Sequence, residues 1–347
     1  GADNAGNPFT ATTTSTYLVD TTAAATITVD DITADDVVNA AESGATINVT
    51  GSVGGDAAVG DTVSFTVNGT VYTGTVQAGN TYSVAVAGSD LAADTSFDVT
   101  VTGTDSAGNP FTASTTSTHS VDTSSAASVA LDAIATDDII NAVEAGADLI
   151  ISGTVGGAAV SGDSVVVSIG GNGYAATVNA DNITFSVTVP ATDVAALTAG
   201  NVTATLTGSD DAGNPFTATT TSTHISDVTA SATIAVDSIT ADDVVSAAEA
   251  GSTINVTGSV GGDAAPGDAV SFTINGTNYS GTVQAGNTFS IAVAGTDLAA
   301  DTSFDATVTG ADNAGNPFTA SSTSTHSVDT RSAATIALAA TAADDSI

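Results

Sequence analysis

The sequence predicts an all-β protein built as a tandem array of small sandwich units, and three observations carry that prediction. The segment AGNPFTA occurs four times, its glycine falling at Gly6, Gly108, Gly213 and Gly315, at spacings of 102, 105 and 102 residues. Within each interval, apolar residues alternate with Thr, Ser, Asn or Asp at period two, the pattern of half-buried strands. Gly and Asn punctuate the runs at Gly54-Gly55, Asn68-Gly69, Gly79-Asn80 and Gly108-Asn109-Pro110, where turns are needed. Self-similarity of this kind makes each unit one copy of a single fold.

The repeats divide the 347 residues into the last strand of a preceding unit (1–20), three complete units (21–121, 122–226 and 227–328) and the first strand of another (329–347). The chain thus reads as a stretch of a longer array. In the first complete unit the expected inward positions are Ile27/Val29, Ile47/Val49, Val63/Phe65/Val67, Tyr82/Val84/Val86, Phe97/Val99/Val101 and Phe111/Ala113. About seven short strands in some 100 residues predict an immunoglobulin-like β-sandwich. Without Cys or Trp, the antibody-type core is excluded, but not the architecture. One segment breaks the alternation: Asn39-x-x-Glu42 has the spacing of a capping box, so a short helical turn belongs between the first two strands. The outer copies differ by volume-conserving swaps, VSFTVNGT against VSFTINGT, which cores tolerate. The middle copy is three residues longer, with its changes expected around Gly170–Pro190.

Composition removes whole classes of function. There are 38 acidic residues against one basic residue, Arg331, a net charge of −37. Nucleic-acid binding needs a basic footprint that one arginine does not supply. The lack of cysteine excludes disulfides and thiolate metal sites. No apolar run approaches the roughly 18 residues of a membrane helix, and GADNAGNPFT is neither a signal nor a transit peptide. High net charge often means disorder, but the alternating Val, Ile and Thr argue against it. No nucleophile–base pair or phosphate loop is present, and the carboxylates lack the aromatic cluster of a sugar cleft, so no enzymatic activity is expected. His119, His224 and His326 share one position, which Tyr17 occupies in the first partial copy. A residue replaceable by Tyr reads as a strand-face side chain rather than a ligand or base.

Comparing copies sorts the acidic residues. Asp56 is matched by Ala158 and is dispensable; Asp31 is matched by Ala133 and Ser238. Those recurring in every complete copy are the Asp-Asp pair, the Glu seven places after its first Asp, the Asp ahead of Ala-Gly-Asn, the linker Asp, and the Asp exemplified by Asp163. The pairs are Asp35–Asp36, Asp137–Asp138, Asp242–Asp243 and, in the last partial copy, Asp344–Asp345. A tandem sandwich admits the chain at one pole and releases it at the other. The Asp35–Glu42 loop should therefore sit beside linker Asp122 and near the Asp210–Asn214 turn of the next unit, with the Asp163 turn at the same pole. Unit charges about 4 Å apart repel by roughly 1–4 kcal/mol, and no Lys or Arg offsets them. Calcium, which takes six to eight oxygen ligands, suits the donors better than magnesium, which keeps its waters. The competing reading is solvated turn aspartates.

The motifs ADDVVNAAE, VTGSVGGDA, NGT-YTGTVQAG, DLAADTSF and D-AGN of the first unit, which recur in order with single-residue changes in the third and more loosely in the middle one, resemble bacterial immunoglobulin-like tandem repeats. Such repeats form the extender region of large biofilm-associated and RTX-type surface adhesins, and the similarity spans essentially the whole chain. It implies a non-enzymatic, extracellular role at the bacterial cell surface or in secreted matrix, after type I secretion. It also implies calcium at the junctions. The implied metal positions are Asp35, Asp36, Glu42, Asp122, Asp210 and Asn214. Their repeat equivalents are Asp20, Asp105 and Asn109; Asp137, Asp138, Glu144, Asp227, Asp312 and Asn316; and Asp242, Asp243, Glu249 and Asp329. The leading expectation is a structural spacer, stiffened by calcium, that supports cell adhesion and biofilm formation. Its partners are the neighbouring repeats, with cell-surface or matrix partners engaged through regions beyond this stretch. Two alternatives stay open: the subunit of a matrix fibre or surface-layer filament, and a glycan- or host-protein-binding module.

Overall fold

The computed structural model describes residues 1–332 and Ile336. The alternating runs form strands as their periodicity requires. In the first unit, β1 (Ala25–Val29), β2 (Val37–Val38), α1 (Ala40–Ser43), β3 (Thr46–Gly55), β4 (Thr62–Val67) and β5 (Thr70–Thr75) come first. They are followed by β6 (Thr81–Ala87), α2 (Gly88–Ala93), β7 (Ser96–Thr104), β8 (Pro110–Thr118) and β9 (Ser120–Val121). Antiparallel sheets of order β1-β3-β6 and β5-β4-β7-β8 enclose the core, and β2 pairs with β9 in parallel. Each strand turns alternate residues inward: Val63, Phe65 and Val67 from β4, Tyr82, Val84 and Val86 from β6, Phe97, Val99 and Val101 from β7 are all buried. This is the immunoglobulin-like sandwich the sequence predicts.

The second and third units repeat the plan, and each unit buries its own hydrophobic cluster, running from Ile27 to Phe111, Ile134 to Phe216 and Ile234 to Phe318. Among the described residues no cluster spans a boundary, and consecutive units are joined by hydrogen bonds. Residues 10–24 carry no strand; the first residues make a turn closed by an Ala2–Pro8 bridge, and Tyr17, Leu18 and Val19 are exposed. Asp344–Asp345 and most of the strand expected in 329–347 lie outside the described residues.

Two details differ from the sequence expectation. Helix α2 was not foreseen, since its only buried residues are Gly88 and Leu91 and six residues are too few to show a period. The three extra residues of the middle unit are also distributed differently. One lies before the strand Thr184–Val189, and two follow Pro190, between that strand and Gly200, which pairs with His224. Among the described residues no helix is long and apolar enough to cross a membrane.

Candidate metal centre at the unit junctions

The downstream pole of each unit is organised by its capping box. Asn39 accepts hydrogen bonds at Oδ1 from Ala41 N and Glu42 N, both at 3.0 Å, while Glu42 Oε2 accepts from Asn39 N at 3.0 Å. Asn141/Glu144 and Ser246/Glu249 reproduce the box in the other units. Ahead of it, the second aspartate of each pair adopts left-handed backbone: Asp36, Asp138 and Asp243 have φ of 59°, 65° and 60°. Aspartate tolerates this conformation when its side chain bonds locally. Here Oδ1 accepts the amide four residues earlier, Ile32, Ile134 or Ile239, at 3.1, 2.8 and 3.0 Å. The neighbouring Asp35 is held below its ordinary value of 3.8 by the Val37 amide and the Thr33 hydroxyl.

The β2–β9 pairing fixes the linker against this loop. Ser120 N donates to Asp36 O at 3.0 Å and Asp122 N to Val38 O at 3.1 Å. Asp227 N bonds to Ile140 O at 3.0 Å in the second unit, and Asp329 stands opposite Ser246 in the third. At the upstream pole, Asp105, Asp210 and Asp312 each close an Asx-type turn onto the asparagine four residues on. Asp210 Oδ1 accepts Asn214 N at 2.8 Å and Oδ2 accepts Asn214 Nδ2 at 3.0 Å. Burial pushes the Asp210 carboxyl up, but the Asn214 bonds prevail and its pKa is lowered. Asp163 sits at the same pole, its carboxylate beneath Gly208 and accepting Val160 N at 2.7 Å.

The two poles meet. Asn39 Nδ2 donates to Ala212 O at 3.0 Å, Ala40 N to Asn214 Oδ1 at 2.8 Å, and Asn214 Nδ2 to Asp122 O at 2.9 Å. At the second junction Ala142 N donates to Asn316 Oδ1 at 2.7 Å and Asn316 Nδ2 to Asp227 O at 2.8 Å. Upstream, Asn109 Nδ2 bonds to Asp20 O at 3.1 Å. The Asp35–Glu42 loop, the Asp122 linker and the Asp210–Asn214 turn therefore touch. Their carboxylates do not cluster: among the described residues no three Asp, Glu or His side chains stand together as a metal would require.

The donor chemistry suits calcium nonetheless. Every candidate is a hard oxygen donor, and in Asp35, Asp36, Glu42 and Asp122 one carboxylate oxygen holds the local turn while the other lies outside these bonds. Asp210 and Asn214 differ, because their polar atoms are already engaged within the protein. Sequence reasoning missed this direct bonding, and in particular the main-chain partners Ala40 N and Ala212 O. The signal available was Asn39 itself, an N-cap residue whose amide nitrogen the capping box leaves over. Away from the junction, His119 and His326 are buried and bond through Nε2 to Leu91 O and Leu298 O at 2.8 Å, anchoring the short helix after the sixth strand.

No protein-family model matches the chain, and no curated protein sequence matches it either. Solved structures do. One, concerned with host cell surface retention of a 1.5-MDa bacterial ice-binding adhesin, is 43% identical, covers 89% of this chain and 99% of that one, and has a TM-score of 0.79. A second, a Ca2+-stabilized adhesin that helps an Antarctic bacterium reach out and bind ice, is 48% identical over 94% of this chain and 80% of that one, with a TM-score of 0.64. A single immunoglobulin-like domain of the M. primoryensis ice-binding adhesin is 52% identical, covering 30% of this chain and all of that one, at a TM-score of 0.28.

Proposed function

The chain belongs to the bacterial immunoglobulin-like repeats of large surface adhesins, and from that premise we propose that it is an extender segment of such an adhesin. Its work is mechanical and non-enzymatic: it holds an adhesive region away from the cell and so supports attachment and biofilm growth, outside the cell. The observation that carries this reading is the junction itself, where the capping helix of one sandwich bonds to the turn of the next at both boundaries between complete units. Each unit adds about 40 Å to the reach, from strands of up to about ten residues at roughly 3.3 Å each plus a linker.

Calcium is the proposed stiffening ligand. The residues that would hold it are Asp35, Asp36, Glu42 and Asp122 at the first junction, Asp137, Asp138, Glu144 and Asp227 at the second, and Asp242, Asp243, Glu249 and Asp329 after the third unit. Asp20 and the turns Asp105–Asn109, Asp210–Asn214 and Asp312–Asn316 complete the surroundings. When bound, a divalent cation offsets the mutual repulsion of these anions. The protein's own part is to present carboxylate oxygens from the loop and the linker, each already oriented by a main-chain bond. Electrostatic self-repulsion of a chain with net charge −37 keeps neighbouring copies apart.

Small-angle scattering of the full chain in calcium and then in chelator tests the reading. A longer maximum dimension and a higher melting temperature in calcium are expected. Unchanged values would show that the junction carboxylates hold no structural ion.

A further inference from the structure

The calcium reading leaves one side chain unexplained. Asn214 is 3% exposed and Asn316 2%, whereas the equivalent Asn109, with no complete unit ahead of it, is only half-buried. A buried primary amide has an acceptor oxygen and two N–H donors to satisfy. Asn214 satisfies them with three different segments: Ala40 N of the preceding unit on Oδ1 at 2.8 Å, Asp122 O of the linker at 2.9 Å, and Asp210 Oδ2 of its own turn at 3.0 Å. Asn316 makes the same set with Ala142 N, Asp227 O and Asp312 Oδ2, at 2.7, 2.8 and 2.8 Å. At Asn109 only the donor half recurs, to Asp20 O at 3.1 Å and Asp105 Oδ2 at 2.8 Å.

The pattern admits no other side chain of this size. Exchanging the oxygen and nitrogen of the amide would set N–H against N–H on one side and oxygen against two oxygens on the other. Aspartate has no donor for the Asp122 carbonyl. The partners are also stiff, because Ala40 N belongs to a helical turn fixed by the capping box, and Asp122 O follows directly on the β9 strand.

We propose that Asn214 and Asn316 are the positioning residues of the junctions, each pinning the angle between consecutive sandwiches whether or not a cation is bound. The proposal deepens the spacer reading and rests on it: cation binding then tightens an orientation the amide has already selected.

The chain has no cysteine, so Thr66→Cys and Thr217→Cys, both at exposed positions of the first and second units, allow spin labels to be placed across the first junction. Distances are read by double electron–electron resonance on the full chain, in chelator and in calcium. In chelator, the parent should give one narrow distribution. Asn214→Ala should raise the bent population roughly 2- to 10-fold, the loss expected for one or two hydrogen bonds. Ala40→Pro removes the same bond from the other side, and proline is tolerated at the first helical position; it should have a similar effect. Asn109→Ala should leave this junction unchanged. Unaltered widths in both first-junction variants, with circular dichroism showing folded units, would overturn the proposal. The calcium reading fails separately, if calcium leaves the parent distribution unmoved and unsharpened.

Discussion

Asn214 and Asp122, 92 residues apart in the chain, are joined by a 2.9 Å hydrogen bond that runs to the main-chain oxygen of the aspartate and not to its carboxylate. The carboxylate is therefore free for a separate task, and the two roles can be tested apart. Asp122→Ala keeps the carbonyl, and with it the bond to Asn214, and gives up only the exposed contact from Ser124 N. Calorimetry should show the unfolding of the units changed by no more than about 0.5 kcal/mol, as for exposed substitutions generally. The lengthening of the chain in calcium should be reduced, through the first junction alone. Global destabilisation would count against a ligand role for this residue.

Gly88 ties the two short helices of the downstream pole together. A Cβ there would run into the Glu42 main-chain oxygen and lie 2.9 Å from Ala45 O, and Gly295 meets Glu249 O in the same way. The middle unit carries Ala191 at this position, and its chain path differs accordingly. Ala191 N bonds to Asp148 Oδ1 at 2.8 Å, where Gly88 N bonds to Ala45 O. Gly88→Ala should then cost about 1–3 kcal/mol, the usual range for overpacking, and lower the first unit's transition in a thermal scan. Because the displaced carbonyl belongs to Glu42, whose side chain closes the capping box, the calcium response of the first junction should fall with it.

The middle unit also lacks the phenylalanine ring pair of its neighbours. Phe65 and Phe97 lie 5.3 Å apart between centroids, Phe272 and Phe304 5.1 Å, and the equivalent residues are Val167 and Val202. Leu197, in the extra segment after Pro190, is buried in that same core. We expect Leu197→Ala to destabilise the middle unit by about 2–5 kcal/mol, as for a buried leucine truncated to a cavity, with the outer units unaffected. Chemical denaturation followed by a probe in each unit checks this. A loss below about 0.5 kcal/mol would mean the segment does not fill the core.

What could be read from the sequence follows from which residues face one way. Val63, Phe65 and Val67 are buried on one side of a two-faced strand, so period two exposes them. Edge strand β5 gives no such signal, because Val71 is exposed and its inward positions, Tyr72 and Gly74, are only half-buried. Helix α2 hides for want of length. At the junction, the meeting of the Asp35–Glu42 loop with Asp122 and the Asp210 turn followed from strand direction alone. The part played by Asn214 did not, because Asn between Gly and Pro has an ordinary turn explanation. Its partners belong to segments 90 and more residues away.

Acid should weaken the turns, because their carboxylates are stabilised in the ionised form. Asp312 is held below 3.8 by the Asn316 amide, against a smaller opposing effect of burial, with the Asn316, Ala314 and Gly315 main-chain N–H groups adding to the lowering. Asp105 is lowered by Asn109 in the same way, and Asp242 by the Thr240 hydroxyl and Val244 N. A carboxylate with a lowered native pKa binds its proton more readily in the unfolded chain, so its stabilisation is complete above the unfolded value. It is lost as pH falls through the native one. Loss of net negative charge acts in the opposite direction, so one group has to be isolated. Asp312→Asn does this, since an amide, like a protonated carboxyl, sets a donor against Asn316 Nδ2. In chelator, the variant should melt below the parent at about pH 7, and the gap should close as pH falls below about 4. A gap of the same size at about pH 3 would mean that ionisation of Asp312 contributes nothing to the turn.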